Sequence, residues 1–226
     1  MSYEISIQKI AKEATKLVKD AKVVGLGSGS TVSFIVREMA KLPDKRSIEF
    51  VPTSLQIKLE AEKSSLRLAD ESTIPDMDIV FDGADQIDSK YAMIKGGGGA
   101  LLREKILISA AKKVVIVADA SKFVESFSRS VPIEVHPMAR SLVYKKLEET
   151  MNGRPTLRVL DKGYPYVTEN GNLILDVLFP QITDVKKMEL ELKNIAGVLE
   201  VGIFTRIADI YYKANSDGSF EKIALP

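Results

Sequence analysis

At 226 residues the chain is long enough for one large domain or two smaller ones, each with a full core. Its 32 lysines and arginines against 31 aspartates and glutamates leave no net field, so neither nucleic acid nor an anionic membrane is implied as a partner. With no cysteine and one histidine, His136, disulfides, thiolate metal sites, cysteine nucleophiles and multi-histidine clusters are excluded, and a histidine triad is improbable. No apolar run approaches a membrane span, and Met1–Lys12 lacks a signal-peptide pattern, so the expected compartment is the cytoplasm.

In chain order, the apolar positions Ile7, Ile10, Ala11, Ala14, Leu17 and Val18 have the spacing of an amphipathic helix over residues 5–19. Lys22–Gly27 reads as a buried strand, followed by a Gly/Ser turn and a helix over Thr31–Leu42. Strands are predicted at Ile48–Pro52, Leu66–Ala69, Asp78–Asp82 and Lys113–Asp119, with helices at Leu55–Lys63 and from Ala100 onward. Strands that alternate with helices, several of them continuously apolar, predict a parallel sheet covered on both faces. The pattern changes at Val131. Val131–Val135 and Thr156–Leu160 are strand-like around a helix at Met138–Thr150, and Tyr164–Thr168 and Leu173–Phe179 flank the turn signal Glu169-Asn170-Gly171-Asn172. A helix at Asp184–Ile195 and a strand at Val198–Phe204 follow, then a hairpin of Ile207–Lys213 and Phe220–Leu225. The predicted architecture is an open, mostly parallel, Rossmann-like α/β sheet over 1–130, completed by 207–226, with a smaller ferredoxin-like α+β domain over 131–206.

Four segments carry chemistry. Gly25-Leu26-Gly27-Ser28-Gly29-Ser30-Thr31 ends a strand and opens a helix, where outward-facing amides and three hydroxyls suit a phosphate. It lacks the Gly-Lys-Ser/Thr of a Walker A loop. It is also a poor dinucleotide fingerprint, because Ser30 holds the third glycine position and Pro52-Thr53-Ser54 supplies no ribose-binding acid. Asp82-Gly83-Ala84-Asp85 follows a strand at the end that lines the ligand crevice of an open sheet. With Asp88 it offers three carboxylates, at a spacing that does not fit a calcium-binding loop. Lys95-Gly96-Gly97-Gly98-Gly99 runs straight into a helix bearing Glu104; four residues without side chains are kept where backbone must approach something closely. Asp119-Ala120-Ser121-Lys122 ends the fifth strand and directs a second lysine to the same rim.

In this order these segments resemble ribose-5-phosphate isomerase of the A type. The likeness extends to Ala118–Lys122, Pro132-Ile133-Glu134-Val135, Pro137-Met138-Ala139-Arg140 and Thr168–Asn172, and so spans most of the chain. The resemblance implies interconversion of ribose 5-phosphate and ribulose 5-phosphate, a step of the non-oxidative pentose phosphate branch, without metal or organic cofactor. It implies that Ser28, Gly29, Ser30, Thr31, Asp82, Gly83, Ala84, Asp85, Lys95, Gly96, Gly97, Gly98 and Lys122 form the substrate site and that Glu104 is the general base. It also implies a homodimer or homotetramer; the smaller domain, which has no evident catalytic residue, is expected to be the subunit contact. Some relatives bring an N-terminal lysine to the phosphate; Lys9 and Lys12 both lie near that point, and the role stays unassigned. The chemistry agrees with these assignments. Isomerisation needs a base to move a proton between two carbons and electrophiles to hold the enediolate; Lys95 and the loop amides suit the second task, while Asp82 with Asp85 suits opening of the sugar ring. Two rivals compete. An amino-sugar phosphate deaminase shares the first glycine loop but uses a catalytic histidine, and His136 lies in the wrong segment. A sugar-phosphate sensor needs a DNA-binding element, and no helix-turn-helix precedes the first helix.

Overall fold

The computed structural model describes residues 3–225, so the outer limits at 1 and 226 of the predicted domains lie outside it. By its internal packing the chain divides into two units: 1–84 with 103–123 and 208–226, and 85–102 with 124–207.

The first unit is built on a seven-stranded sheet. Its strands are β1 (Val23–Leu26), β2 (Glu49–Pro52), β3 (Arg67–Leu68), β4 (Ile79–Asp82), β7 (Lys113–Asp119), β13 (Ile210–Ala214) and β14 (Phe220–Ala224), in the order β14-β13-β7-β4-β1-β2-β3. All neighbours are parallel except the hairpin partner β14, because βα crossovers return each strand in one direction. β1 and β4 are buried along their whole length, which explains their unbroken apolar runs. The helices of this unit are α1 (Glu4–Ala14), α2 (Gly29–Met39), α3 (Leu55–Lys63) and most of α4 (Leu101–Ala110). Ile10, Ala11 and Ala14 of α1 join Val32, Ile35, Val36 and Met39 of α2 in one core with Leu26, Phe50, Ile57 and Tyr212. The predicted helix over 5–19 is α-helical to Ala14 and tightens to a 3-10 turn over Thr15–Val18.

The second unit holds two sheets. β8 (Val131–Val135), β9 (Arg154–Leu157), β10 (Leu173–Leu178) and β11 (Val198–Val201) form an antiparallel sheet in the order β11-β8-β10-β9, with α5 (Arg140–Met151) and α6 (Val185–Lys193) completing a ferredoxin-like βαββαβ chain order. Its core joins Ile133, Val143, Leu147, Leu175, Val177 and Leu192. The second sheet is β5 (Gln86–Ile87), β6 (Met93–Ile94) and β12 (Ile203–Phe204), of which β5 and β6 have no counterpart among the predicted elements. The predicted strand 198–204 splits at Gly202, whose amide donates to Pro132 O (2.7 Å) and where a Cβ would lie 2.4 Å from Lys95 O. The predicted strand 164–168 makes only isolated bridges, Val159 to Pro165 and Val167 to Leu173. Residues 85–102 and 124–130, read from sequence as part of the Rossmann-like domain, pack with the second unit because β5 and β6 pair with β12. No helix of the described residues is long and apolar enough to cross a membrane.

Candidate active site

Sheet topology selects the place in the first unit. The chain runs outward from β1 through β2 to β3, then returns to the opposite side of β1 with β4, and a crevice opens beyond the carboxyl ends of strands where the order reverses. Gly27 and Ser28 leave β1 there, and Asp82 closes β4. The Gly27 amide donates to Phe81 O at 2.8 Å, an approach so close that a Cβ on Gly27 would lie 2.0 Å from Asp82 Oδ1. Asp82 is 1% exposed, and its Oδ1 accepts the amides of Gly83 (2.7 Å) and Ser28 (3.3 Å). Glu104, 3% exposed in the first turn of α4, accepts the Ser28 hydroxyl at Oε1. One serine therefore ties two buried carboxylates together, its amide on Asp82 and its hydroxyl on Glu104.

That arrangement has a consequence for α2. Ser28 is its N-cap in extended geometry, yet its side chain makes no capping bond, whereas Ser54 caps α3 through Ile57 N (3.3 Å) and Asp184 caps α6 through Lys187 N (3.0 Å). With the cap hydroxyl committed elsewhere, the amides of Ser30 and Thr31 in the first turn are kept for another anion. Ser30 and Thr31 both lie in that turn, because α2 begins at Gly29, two residues before the helix start predicted at Thr31. Gln56 of α3, which the sequence reading passed over, accepts the Gly29 amide (3.1 Å) and reaches Ser33 Oγ (3.5 Å), bracing the loop. It follows β2 at the same sheet end as the flagged motifs, and that position was the available signal. Lys122 ends a 3-10 turn (Ala120–Lys122) after β7, and Asp119 Oδ1 accepts Ser121 N at 3.0 Å. Lys9 donates to Gly218 O (2.7 Å).

The second unit assembles the other expected residues. Asp85 N donates to Ile94 O (2.8 Å), and Asp85 Oδ2 accepts Gly97 N (2.8 Å). Lys95 is 2% exposed; its amide donates to Gly202 O (2.9 Å) and its ammonium lies 5.4 Å from the centre of the Phe204 ring. Gly96 and Gly99 adopt φ of 101° and 83°, left-handed backbone that side chains resist. A Cβ on Gly97 would lie 2.7 Å from Asp85 Oδ1. Gly97 and Gly98 form the exposed crest of the loop. Two residues outside every motif hold it from below. Arg158 donates to the carbonyls of Gly96 and Gly97, and the Tyr166 hydroxyl donates to Gly98 O. No sequence signal exposes them, because the packing that brings the Arg158 side chain to Asp176 is not readable in one dimension. Asp88 closes a turn by accepting Lys90 N and Ala92 N, both at 2.9 Å. His136 Nδ1 accepts Met138 N (3.3 Å) at the start of a 3-10 turn. Among the described residues no group of three His, Cys, Asp or Glu side chains is placed to hold a metal ion.

The chain matches the family model for ribose 5-phosphate isomerase A (phosphoriboisomerase A) over residues 49–218. It is 40% identical over 213 residues to the ribose-5-phosphate isomerase A of Methanosarcina acetivorans, covering 93% of this chain and 90% of that one. It is 42% identical over 212 residues to that of Korarchaeum cryptofilum, covering 92% of each chain. Among solved structures, ribose 5-phosphate isomerase A from Methanocaldococcus jannaschii superposes with a TM-score of 0.90 at 36% identity, over 99% of this chain and 100% of that one. A D-ribose-5-phosphate isomerase in complex with phospho-erythronic acid superposes with a TM-score of 0.93 at 37% identity, over 100% of both. The sequence match covers 93% of the chain and the fold match 100%: the chain belongs to the ribose 5-phosphate isomerase A family.

Proposed function

We propose that this chain interconverts ribose 5-phosphate and ribulose 5-phosphate through an enediolate, with Glu104 as the base. The observation that carries the assignment is the buried Glu104 carboxylate, oriented by the Ser28 hydroxyl beside Asp82. In the aldose-to-ketose direction Glu104 takes the proton from C2 and the C2–H electron pair forms the C1–C2 double bond. The C1 carbonyl electrons pass to O1. Returning the proton to C1 and moving the O2 proton to O1 completes the ketose. Carbon 2 is oxidised exactly as much as carbon 1 is reduced, so the reaction balances without an external redox partner. Lys95 and the amide of Gly98 stabilise charge on the two oxygens, and Asp82, with Asp85, moves the proton that opens the ring. Ser30 and Thr31, with their own amides in the first turn of α2, and Lys122 hold the phosphate. Ser28 serves the base rather than the phosphate in this reading, because its hydroxyl is committed to Glu104. A relative captured with phospho-erythronic acid, a phosphorylated sugar acid, supports the substrate class.

The test is Glu104→Gln, which keeps the shape and removes the proton acceptor. Turnover of ribose 5-phosphate, assayed with excess chelator, should fall about 10²–10⁴-fold while KM changes little. A variant within about fivefold of the parent would remove Glu104 from the role. We infer further that the second unit carries a contact between copies, since Met138 (90% exposed), Leu142 and Leu190 stand out from its helices. Sedimentation equilibrium at micromolar concentration should return a dimer or tetramer, and a monomer mass would refute it.

A further inference from the structure

The carbonyl side of the glycine loop is gripped by a framework within the second unit that none of the loop's own residues supply. Arg158 Nη1 donates to Gly96 O (2.9 Å) and to Gly97 O (3.1 Å). The guanidinium is itself fixed by a two-pronged ion pair with Asp176 of β10, Nε to Oδ2 at 2.8 Å and Nη2 to Oδ1 at 2.5 Å. Such forked pairing sets the plane of the group as well as its position. The Tyr166 hydroxyl donates to Gly98 O (3.1 Å), and Arg158 lies 5.9 Å from the centre of the Tyr166 ring. Burial pushes the Tyr166 phenol up against the opposing pull of Arg158, which keeps it a donor.

The two side chains are also neighbours through the backbone. Tyr166 N donates to Arg158 O (2.9 Å), and Arg158 N donates to Ile174 O (2.9 Å). Two residues beyond Tyr166 the chain is anchored again. The fully buried Glu134 accepts Thr168 Oγ1 (2.8 Å), Asn170 Nδ2 (3.0 Å) and Asn172 Nδ2 (2.9 Å) at one oxygen. This gives the Glu134 and Thr168–Asn172 segments a purpose that substrate contact does not require: they hold the strap that carries Tyr166.

A planar trans peptide points its C=O and N–H in opposite directions. Fixing Gly96 O on Arg158 therefore turns Gly97 N–H the other way, and it is found on Asp85 Oδ2 (2.8 Å). Fixing Gly98 O on Tyr166 turns Gly99 N–H the other way, and it is found on Gly96 O (2.9 Å). By the same rule, fixing Gly97 O on Arg158 turns the Gly98 N–H away from Arg158, at the exposed crest of the loop. A Cβ on Gly99 would lie 2.2 Å from Tyr166 Oη, so the glycine is needed for the tyrosine to reach its partner.

We propose that Arg158 and Tyr166 are positioning residues of the isomerase: they orient the peptides of Gly96–Gly98 so that the Gly98 amide is held ready for the oxygens of the reacting sugar. The proposal rests on the reading of Gly96–Gly98 as part of the substrate site. A donor fixed in advance acts on the transition state more than on ground-state binding.

The test uses the full-length protein with Tyr166→Phe, which deletes only the hydroxyl, and Arg158→Lys, which keeps the charge and loses the fork. Each should lower kcat about tenfold to hundredfold, in line with the cost of small misplacements. KM for ribose 5-phosphate should move less than about threefold, a split expected when only transition-state contacts are lost. Inhibition by phospho-erythronic acid should weaken in step with kcat/KM. Inhibition by inorganic phosphate should stay at the parent value, which a general loosening of the fold would not allow. Folded variants with parental kcat and parental phospho-erythronic acid inhibition overturn the proposal, as does an equal loss of phosphate inhibition. If Arg158→Lys does not fold, Tyr166→Phe decides alone. Glu104→Gln, run beside them, separates the two failures: an inactive Glu104→Gln with a fully active Tyr166→Phe sinks only the positioning role, and an active Glu104→Gln sinks the catalytic reading beneath it.

Discussion

Replacing Gly27 by alanine adds one methyl group at the point where β1 and β4 deliver the site. Gly27 is not among the residues with positive φ, so alanine meets no backbone strain there. The whole effect is steric. The new Cβ would sit 2.0 Å from Asp82 Oδ1 and 2.1 Å from Asp82 Cγ. Unbonded heavy atoms settle at about 3.5 Å, so the carboxylate must retreat by about 1.5 Å. That movement breaks its bonds to Gly83 N (2.7 Å) and Ser28 N (3.3 Å), and it disturbs the serine that also holds Glu104. Hydrogen bonds to a charged group contribute about 1.5–3 kcal/mol each, and one of these is long, so the loss is about 3 kcal/mol. For a domain of this size that corresponds to a fall in Tm of about 6–12 °C. Misplacement by about 1 Å costs a catalytic group roughly 10²-fold, and kcat for ribose 5-phosphate should drop at least that far. A coupled spectrophotometric assay for ribulose 5-phosphate and a thermal melt on the same sample read both numbers. A variant within fivefold of the parent in kcat, with Tm lowered by less than 2 °C, would show that Asp82 is not held where the reaction needs it.

Thr31→Ala should raise KM for ribose 5-phosphate more than it lowers kcat, because the phosphate keeps its charge through the reaction; a pure kcat loss in steady-state kinetics would refute the phosphate assignment. Free ribose should be a very poor substrate for the same reason. Asp78, at the amino end of β4, supplies a pH test. Burial alone would raise its carboxyl, but the Lys112 ammonium (2.8 Å) and the amides of Lys22 (2.8 Å) and Val23 (3.1 Å) together hold it below the usual carboxylate range. A depressed carboxyl stabilises the fold above its unfolded value of 3.8 and loses that contribution as pH falls through the lower folded value. Asp78→Asn should therefore lower Tm at pH 7 and converge on the parent in strong acid; a Tm difference that stays constant from pH 7 to pH 2 would refute the linkage.

Much of this molecule is local, and what is local can be read in one dimension. The apolar runs of Val23–Leu26, Ile79–Asp82 and Lys113–Asp119 mark strands covered on both faces, since only such strands dispense with polar alternation. The glycines after β1, after β4 and before α4 mark backbone that must pass close to something, and Asp82, Lys95 and Glu104 stand close to the second and third of these in sequence. The strand, helix, strands, helix, strand run of the second unit follows from periodicity and turn signals, with 164–168 counted as one strand too many. Other features depend on partners far away along the chain. Ser28 looks like a helix cap, and only the approach of α4 turns its hydroxyl to Glu104. The strand 198–204 is unbroken in composition; it splits at Gly202 because its two halves pair with β8 and β6, in different sheets. Arg158 and Tyr166 stand in the strand-like segments 156–160 and 164–168 with no motif to mark them, and their grip on the glycine loop exists only through the packing that sets Arg158 beside Asp176. Residue type and spacing declare which groups can do chemistry, because propensity and backbone freedom act over a few residues. Which of them face one another is decided by strand register and sheet order, which arise from packing across the whole fold.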